Sequence, residues 1–253
     1  MIMKKSKLMI FAFFTVIFGC IFDMPEISKD VELKIRTSSI SADSHTKNIF
    51  EKVLDLITGE RLYAYHAENN VIITDFKMSF KGIEFEKYDE HIEKYITIKS
   101  SELTGPFQVD LLSETNLLTE SLGIGFIEGG SYKNIKFIFD KSNLAEDYGL
   151  YKCSIFIAGT INGIEFIMRH DTSESMKVES EAGVIVDEYT DGLLIDINLE
   201  DILHDINLSA ALDSNNDGLI DISPITHDND INRILAETLK DNIKHRARLL
   251  KED

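Results

Sequence analysis

Asp213-Ser-Asn-Asn-Asp-Gly-Leu-Ile-Asp-Ile-Ser-Pro224 is where residue types and spacing come closest to a defined chemistry. Oxygen-bearing side chains alternate through Asp213, Asn215 and Asp217, and one returns at Asp221. Gly218 follows the third of them. Alternate side chains of a tight loop converge on one point, and glycine permits the sharp bend that brings them there. A hard cation such as Ca²⁺ collects about six to eight oxygens at such a point. The backbone carbonyl of Leu219 is the expected further ligand, and Ile220 is placed to point into a core.

This spacing matches the first nine positions of an EF-hand-type calcium loop. It departs at the twelfth position, where Pro224 stands in place of a bidentate Glu. The loop is similar to the truncated ones of dockerin-like and thrombospondin-type calcium repeats, in which a later acid helps. That resemblance makes Asp228, with Asp230 behind it, the candidate for the missing ligand. The cofactor expected is calcium in a structural role, because one truncated loop without a paired partner is a poor sensor. The competing reading is an Asx-rich turn that holds no ion.

No other stretch carries a catalytic constellation. The seven histidines, at 45, 66, 91, 170, 204, 227 and 245, form no HExxH pair and no paired metal spacing. His170-Asp171 reads as a strand end, not as a catalytic dyad. There is no Gly-x-Ser-x-Gly, and Gly123 and Gly125 lack the third glycine of a dinucleotide loop. Carboxylates are abundant, so a glycoside hydrolase stays as a remote alternative. With no Trp, a sugar platform is not expected. The chain carries 44 acids against 26 Lys and Arg, a net charge of −18. Such a surface repels phosphate backbones, which argues against a nucleic-acid partner.

The elements around the loop begin with an export signal. Lys4, Lys5 and Lys7 precede an apolar run from Leu8 to Phe18. The run is shorter than the roughly 20 residues of a membrane span and has the length of a signal-peptide core. It ends in Ile17-Phe18-Gly19-Cys20, which resembles the lipobox of bacterial lipoproteins. The resemblance implies cleavage after residue 19 and lipid on Cys20. Two or more acyl chains hold a protein stably where one does so marginally. Residue 21 is Ile and not Asp, which by the same resemblance points to the outer membrane, on either face. An uncleaved N-terminal anchor helix is the alternative. With Cys20 lipidated, Cys153 stands alone and no intramolecular disulfide can form. Its apolar context, Cys-Ser-Ile-Phe-Ile, predicts a buried thiol.

Four segments follow. Residues 1–19 are the leader. Residues 20–69 read as a tether with one strand, Val31 to Ile35, and a helix from Thr46 to Ile57. Residues 70–225 carry a period of two, as in Phe76-x-Met78-x-Phe80, and an Asn162-Gly163 hairpin turn. They predict a mainly β fold, an antiparallel β-sandwich with short helices at Leu199–Leu203 and Leu208–Leu212. Residues 226–253 predict an amphipathic helix from about Asp230 to Leu250. Its docking stripe is Ile231, Ile234, Leu235, Leu239 and Ile243. Its basic end, with Lys244, His245, Arg246, Arg248 and Lys251, suits a helix dipole, or a membrane surface.

Phe107-Gln-Val-Asp-Leu-Leu-Ser113 and Gly129-Gly-Ser-Tyr-Lys-Asn-Ile-Lys-Phe137 resemble segments of the bacterial family called domain of unknown function 4382. Phe156 to Phe166 and the Asp/Asn-rich loop are weaker parallels. The resemblance implies an exported β-sandwich lipoprotein and brings no catalytic residues. The chain departs from that family in lacking Asp-Ala-Pro after its first strand and in having no Trp. The function expected is that of a non-enzymatic cell-envelope lipoprotein, a calcium-stabilised β-sandwich presenting a binding or structural surface. The alternative is a periplasmic accessory subunit, with the 46–57 helix or the C-terminal helix docking on an envelope protein partner.

Overall fold

The computed structural model describes residues 28–38, 64–65, 71–89, 91–100, 103–143, 149–225 and 230–252. The leader expected at residues 1–19, Cys20, the helix expected at 46–57 and Asp228 lie outside the described residues. The chain is mainly β. Its elements are β1 (Ser28–Ser38), β2 (Ala64–Tyr65), β3 (Val71–Asp89), β4 (Lys94–Ile98), β5 (Thr104–Ser113), β6 (Asn116–Leu117), β7 (Thr119–Glu128) and β8 (Gly130–Phe139). Then come β9 (Ile155–Ile161), β10 (Ile164–His170), β11 (Ser175–Val186), β12 (Gly192–Asn198), α1 (Leu199–Leu203) and a 3₁₀ turn at Leu208–Ala210. The chain continues through β13 (Leu219–Ile222), α2 (Asp230–Arg246) and β14 (Arg248–Glu252).

Local signals account for much of this. Asn162 and Gly163 both take positive φ, 53° and 81°, between β9 and β10. That is the turn whose twist matches two antiparallel strands. Asn198 caps α1 by accepting the Asp201 N–H at 3.1 Å. In β1, Val31, Leu33 and Ile35 alternate inward and are fully buried.

β3 organises the rest. Its first half pairs with β9 and β5, and its second half with β8 and β4. The registers of β5 and β8 both shift between Phe80 and Gly82, so one strand serves two halves of a single sheet. One half runs β13-β10-β9-β3 and the other β3-β8-β11-β14-β12-β1-β7. The far edge curls back toward β5. The Thr37 hydroxyl donates to the Leu111 carbonyl, and the Leu118 N–H donates to the same oxygen at 3.0 Å. One continuous core runs through both halves and both helices.

Four expectations need correction. The sheet is mixed, because β1–β12, β10–β13 and β11–β14 pair in parallel. Each of these pairs joins segments far apart in sequence, which is the condition parallel pairing requires. The expected tether boundary at residue 69 does not set β1 apart, since β1 lies between β12 and β7 in the common core. The C-terminal helix stops at Arg246, and β14 enters the sheet between β11 and β12. Leu249 pairs with Ile195 there and is buried, so ladder bonds and burial override the helical propensity of residues 248–250. The buried face of α2 is Asn232, Leu235, Ala236, Leu239, Lys240 and Ile243. Ile231 and Ile234, expected in that stripe, are exposed.

Candidate functional site

The 213–221 loop folds tightly around one backbone N–H. Asp213 accepts the Asp217 N–H at 3.2 Å through Oδ1 and the Gly218 N–H at 2.9 Å through Oδ2. Asn215 Oδ1 accepts the same Asp217 N–H at 3.3 Å, and its Nδ2 donates to Asp217 Oδ2 at 2.8 Å. Asp217 Oδ1 accepts the Leu219 N–H at 2.9 Å. Positive φ at Asn216 (57°) and Gly218 (90°) makes this inward turn. Asp213, Asn215 and Asp217 are thus brought together as their spacing predicts.

Leu219 then opens β13, which lies parallel to β10, and Ile220 is buried opposite Phe166. The side chain of Asp221 faces outward, away from that core. Among the described residues no three His, Cys, Asp or Glu side chains gather as a metal-holding group, so Asp221 does not join Asp213 and Asp217. The donor set is two carboxylates and one amide oxygen, with the Leu219 carbonyl adjacent in the chain. A carboxylate has about four acceptor sites and each here uses two, so oxygen capacity remains for a cation. The donors fit a hydrated divalent ion better than a closed protein cage.

Asn232 of α2 holds this loop at both ends. It is 1% exposed. Its Nδ2 donates to the carbonyls of Leu212 and Asp221, each at 2.8 Å, and its Oδ1 accepts the Leu212 N–H at 3.0 Å. The sequence reading missed this residue. Its visible signal was a polar side chain three positions before Leu235, on the face that docks.

The loop also forms one wall of a cleft of about 510 Å³. Ile167, Leu212, Leu219 and Ile225 supply apolar lining, and Arg169 and Asp221 supply charge of both signs. Cys153 lies in the wall, as predicted a buried thiol. Burial pushes it up to about 11, with Arg169 acting weakly against that, so it is no nucleophile near neutrality.

His170 ends β10, as expected of a strand end. Its Nδ1 accepts the Thr172 N–H at 3.0 Å, which leaves the proton on Nε2, 3.4 Å from Glu237 Oε1. Burial pushes its pKa below the ordinary value, against the pull of Glu237. Asp171 turns the other way, to Lys141 at 2.6 Å, which holds its carboxyl below the usual range. The two make no dyad. Next to His170, buried Lys240 sits among Glu237 (2.9 Å), Asp241 (3.2 Å) and Glu174 (3.4 Å), a network the sequence did not announce.

Comparison of the chain with protein-family models, curated proteins and solved structures gives no match. The molecule therefore enters a functional argument as a mainly β domain, with a two-carboxylate loop and a mixed cleft, on its own geometry.

Proposed function

We propose that the protein is a non-enzymatic cell-envelope lipoprotein, anchored through lipid on Cys20, whose β body is braced by calcium at the 213–221 loop. The binding surface is the cleft that this loop borders. One observation carries the reading: Asp213, Asn215 and Asp217 converge in a loop that Asn232 clamps to α2. An ion there ties the end of the sheet to the helix. Asp213, Asn215 and Asp217 would supply side-chain oxygens, Leu219 a carbonyl, and Asp221 or Asp228 a contact through water. The cleft falls within the several-hundred-Å³ range of small-ligand sites.

The test is thermal unfolding of the full-length chain with calcium and then with excess chelator. An ion that binds only the folded state at a hundred times its Kd adds about 2.7 kcal/mol. A calcium-dependent rise that disappears in Asp213→Ala and Asp217→Ala supports the reading. A midpoint indifferent to calcium and chelator reduces the loop to an Asx-rich turn.

A second reading is an accessory subunit of an envelope complex. The exposed Ile231 and Ile234, one turn apart on α2, favour it. Protease shaving of intact cells separates the two, because a surface protein is cut and a periplasmic one is protected.

A further inference from the structure

Tyr189, Ile185, Phe126 and Ile92 are each more than half exposed, and Tyr95 is about half exposed. Strand pairing brings all five to one end of the sheet. Phe126 of β7 lies opposite Asp30 of β1, two positions before Glu128, which lies opposite Ser28. β8 starts two residues after Glu128, and its Ser131 lies opposite Ile185 of β11. Lys87 of β3 lies opposite Tyr132 of β8, and the turn beyond it carries Ile92. Tyr95 follows on β4, its ring 5.2 Å from that of Tyr88. Tyr189 lies in the turn before β12, where the Lys29 ammonium donates to the Glu188 carbonyl at 2.9 Å.

The N-terminal segment joins the sheet at this same end. β1 begins at Ser28, eight positions after Cys20. Eight residues reach no more than about 28 Å. The 39–63 stretch starts and finishes at the other end, where Ser38 lies opposite Asn198 and Ala64 opposite Ile72. The charges beside the five apolar side chains do not favour an anionic lipid. Lys29 pairs with Asp191 at 3.2 Å, Lys87 with Glu128 at 2.8 Å and Lys251 with Asp187 at 3.1 Å. The exposed Lys94 and Lys133 stand against Asp30, Asp89, Glu93 and Glu188.

We propose that this end of the sheet docks on a lipid bilayer, with Phe126, Ile185 and Tyr189 entering its interface. The proposal rests on the reading that Cys20 carries the lipid. A tether of eight residues then holds this end, and not the far one, against the membrane. It raises the local concentration to about the millimolar range, so weak insertion suffices. Tyrosine and large apolar side chains suit the boundary between hydrocarbon and water. With acids in excess, apolar burial and not attraction to headgroups supplies the contact. Docking also sets the 510 Å³ cleft away from the bilayer. Arg169 of that cleft lies opposite Phe156, which lies opposite Lys77. The ten positions of β3 from Lys77 to Lys87 span about 30 Å.

The sequence has no Trp, so a single introduced Trp is the only indole in the chain. Full-length chains carrying Tyr189→Trp, Ile185→Trp or Ile164→Trp are reconstituted into phosphatidylcholine vesicles. Ile164 serves as the control, because it pairs with Ile161, which lies opposite Val71 at the far end. Tyr189→Trp and Ile185→Trp emission shifts to the blue and is quenched by lipids brominated in their acyl chains, whereas Ile164→Trp emission does neither. Adding Phe126→Glu to Ile185→Trp reverses most of the shift and keeps the parent melting temperature, because Phe126 is exposed. Phosphatidylglycerol in the vesicles does not enlarge the shift. The mass of the Cys20 peptide reports the anchor on its own. Lipid on Cys20 with unshifted Tyr189→Trp and Ile185→Trp emission overturns the docking and leaves the anchor standing. Shifted emission in a chain without that lipid keeps the docking and overturns the anchor, and unshifted emission in such a chain overturns both. A shift that follows protein concentration without vesicles assigns the surface to a second copy and overturns the proposal.

Discussion

Asn232 donates from Nδ2 to the carbonyl of Asp221 at 2.8 Å, joining the buried face of α2 to the strand that leaves the acidic loop. The same amide satisfies both backbone groups of Leu212 at the loop's entrance. Asn232→Ala leaves these part-buried backbone groups without their side-chain partner, and each lost bond costs about 1–3 kcal/mol. A loss of roughly 2–4 kcal/mol in urea unfolding is the expected outcome. A loss under half a kcal/mol would show that the clamp is dispensable.

The loop's acids should not be equivalent. Asp213 and Asp217 converge, whereas Asp221 stands apart on β13. Asp213→Ala and Asp217→Ala should abolish any calcium-dependent rise in melting temperature. Asp221→Ala should keep most of it. Equal loss in all three would mean that ion binding draws Asp221 inward, as a complete EF-hand loop does.

His170 should make stability depend on pH between neutrality and mild acid. Its folded pKa lies below the ordinary 6.5, mainly through burial, so the folded state disfavours the proton relative to the unfolded chain. Its contribution is therefore present above pH 6.5 and is lost as pH falls through the folded value. Glu237 and Lys240 face the ring, Asp171 acts on it only through a weaker field from the next position, and the lowered carboxyls of Glu237 and Asp171 act in a more acidic window. Urea midpoints at pH 7.5 and 5.5 test this. His170→Gln should flatten the difference, and an unchanged slope would remove His170 as its source.

Cys153 should be inert. With its thiol raised to about 11, well under one per cent is thiolate at pH 8. In a Cys20→Ser chain, a thiol reagent should react slowly until denaturant is added, then take one equivalent. Fast labelling of the native chain would expose an opening near Gly149, whose carbonyl accepts from Sγ at 3.5 Å.

The proposed membrane anchor rests on Cys20. Cells expressing the native chain should incorporate labelled fatty acid into it, and Cys20→Ala should abolish incorporation and release the protein from membranes. Retention of Cys20→Ala at the membrane would favour an uncleaved anchor helix.

What the sequence determined by itself was local. Period-two alternation placed the strands, Asn162-Gly163 placed a hairpin, and Asp213, Asn215, Asp217 and Gly218 placed an inward turn. Each depends on a few neighbouring φ/ψ values and on which face a side chain takes, and these are written in adjacent residues. Tertiary structure decided what joins across distance. It set β1 beside β12 in parallel and ended α2 so that β14 could fill the sheet. It also buried Asn232 against the loop and left Ile231 and Ile234, expected in the docking stripe, exposed. Those outcomes rest on hydrogen bonds and burial between residues up to about 160 positions apart, where partner and register are chosen by the whole core and not by any one segment.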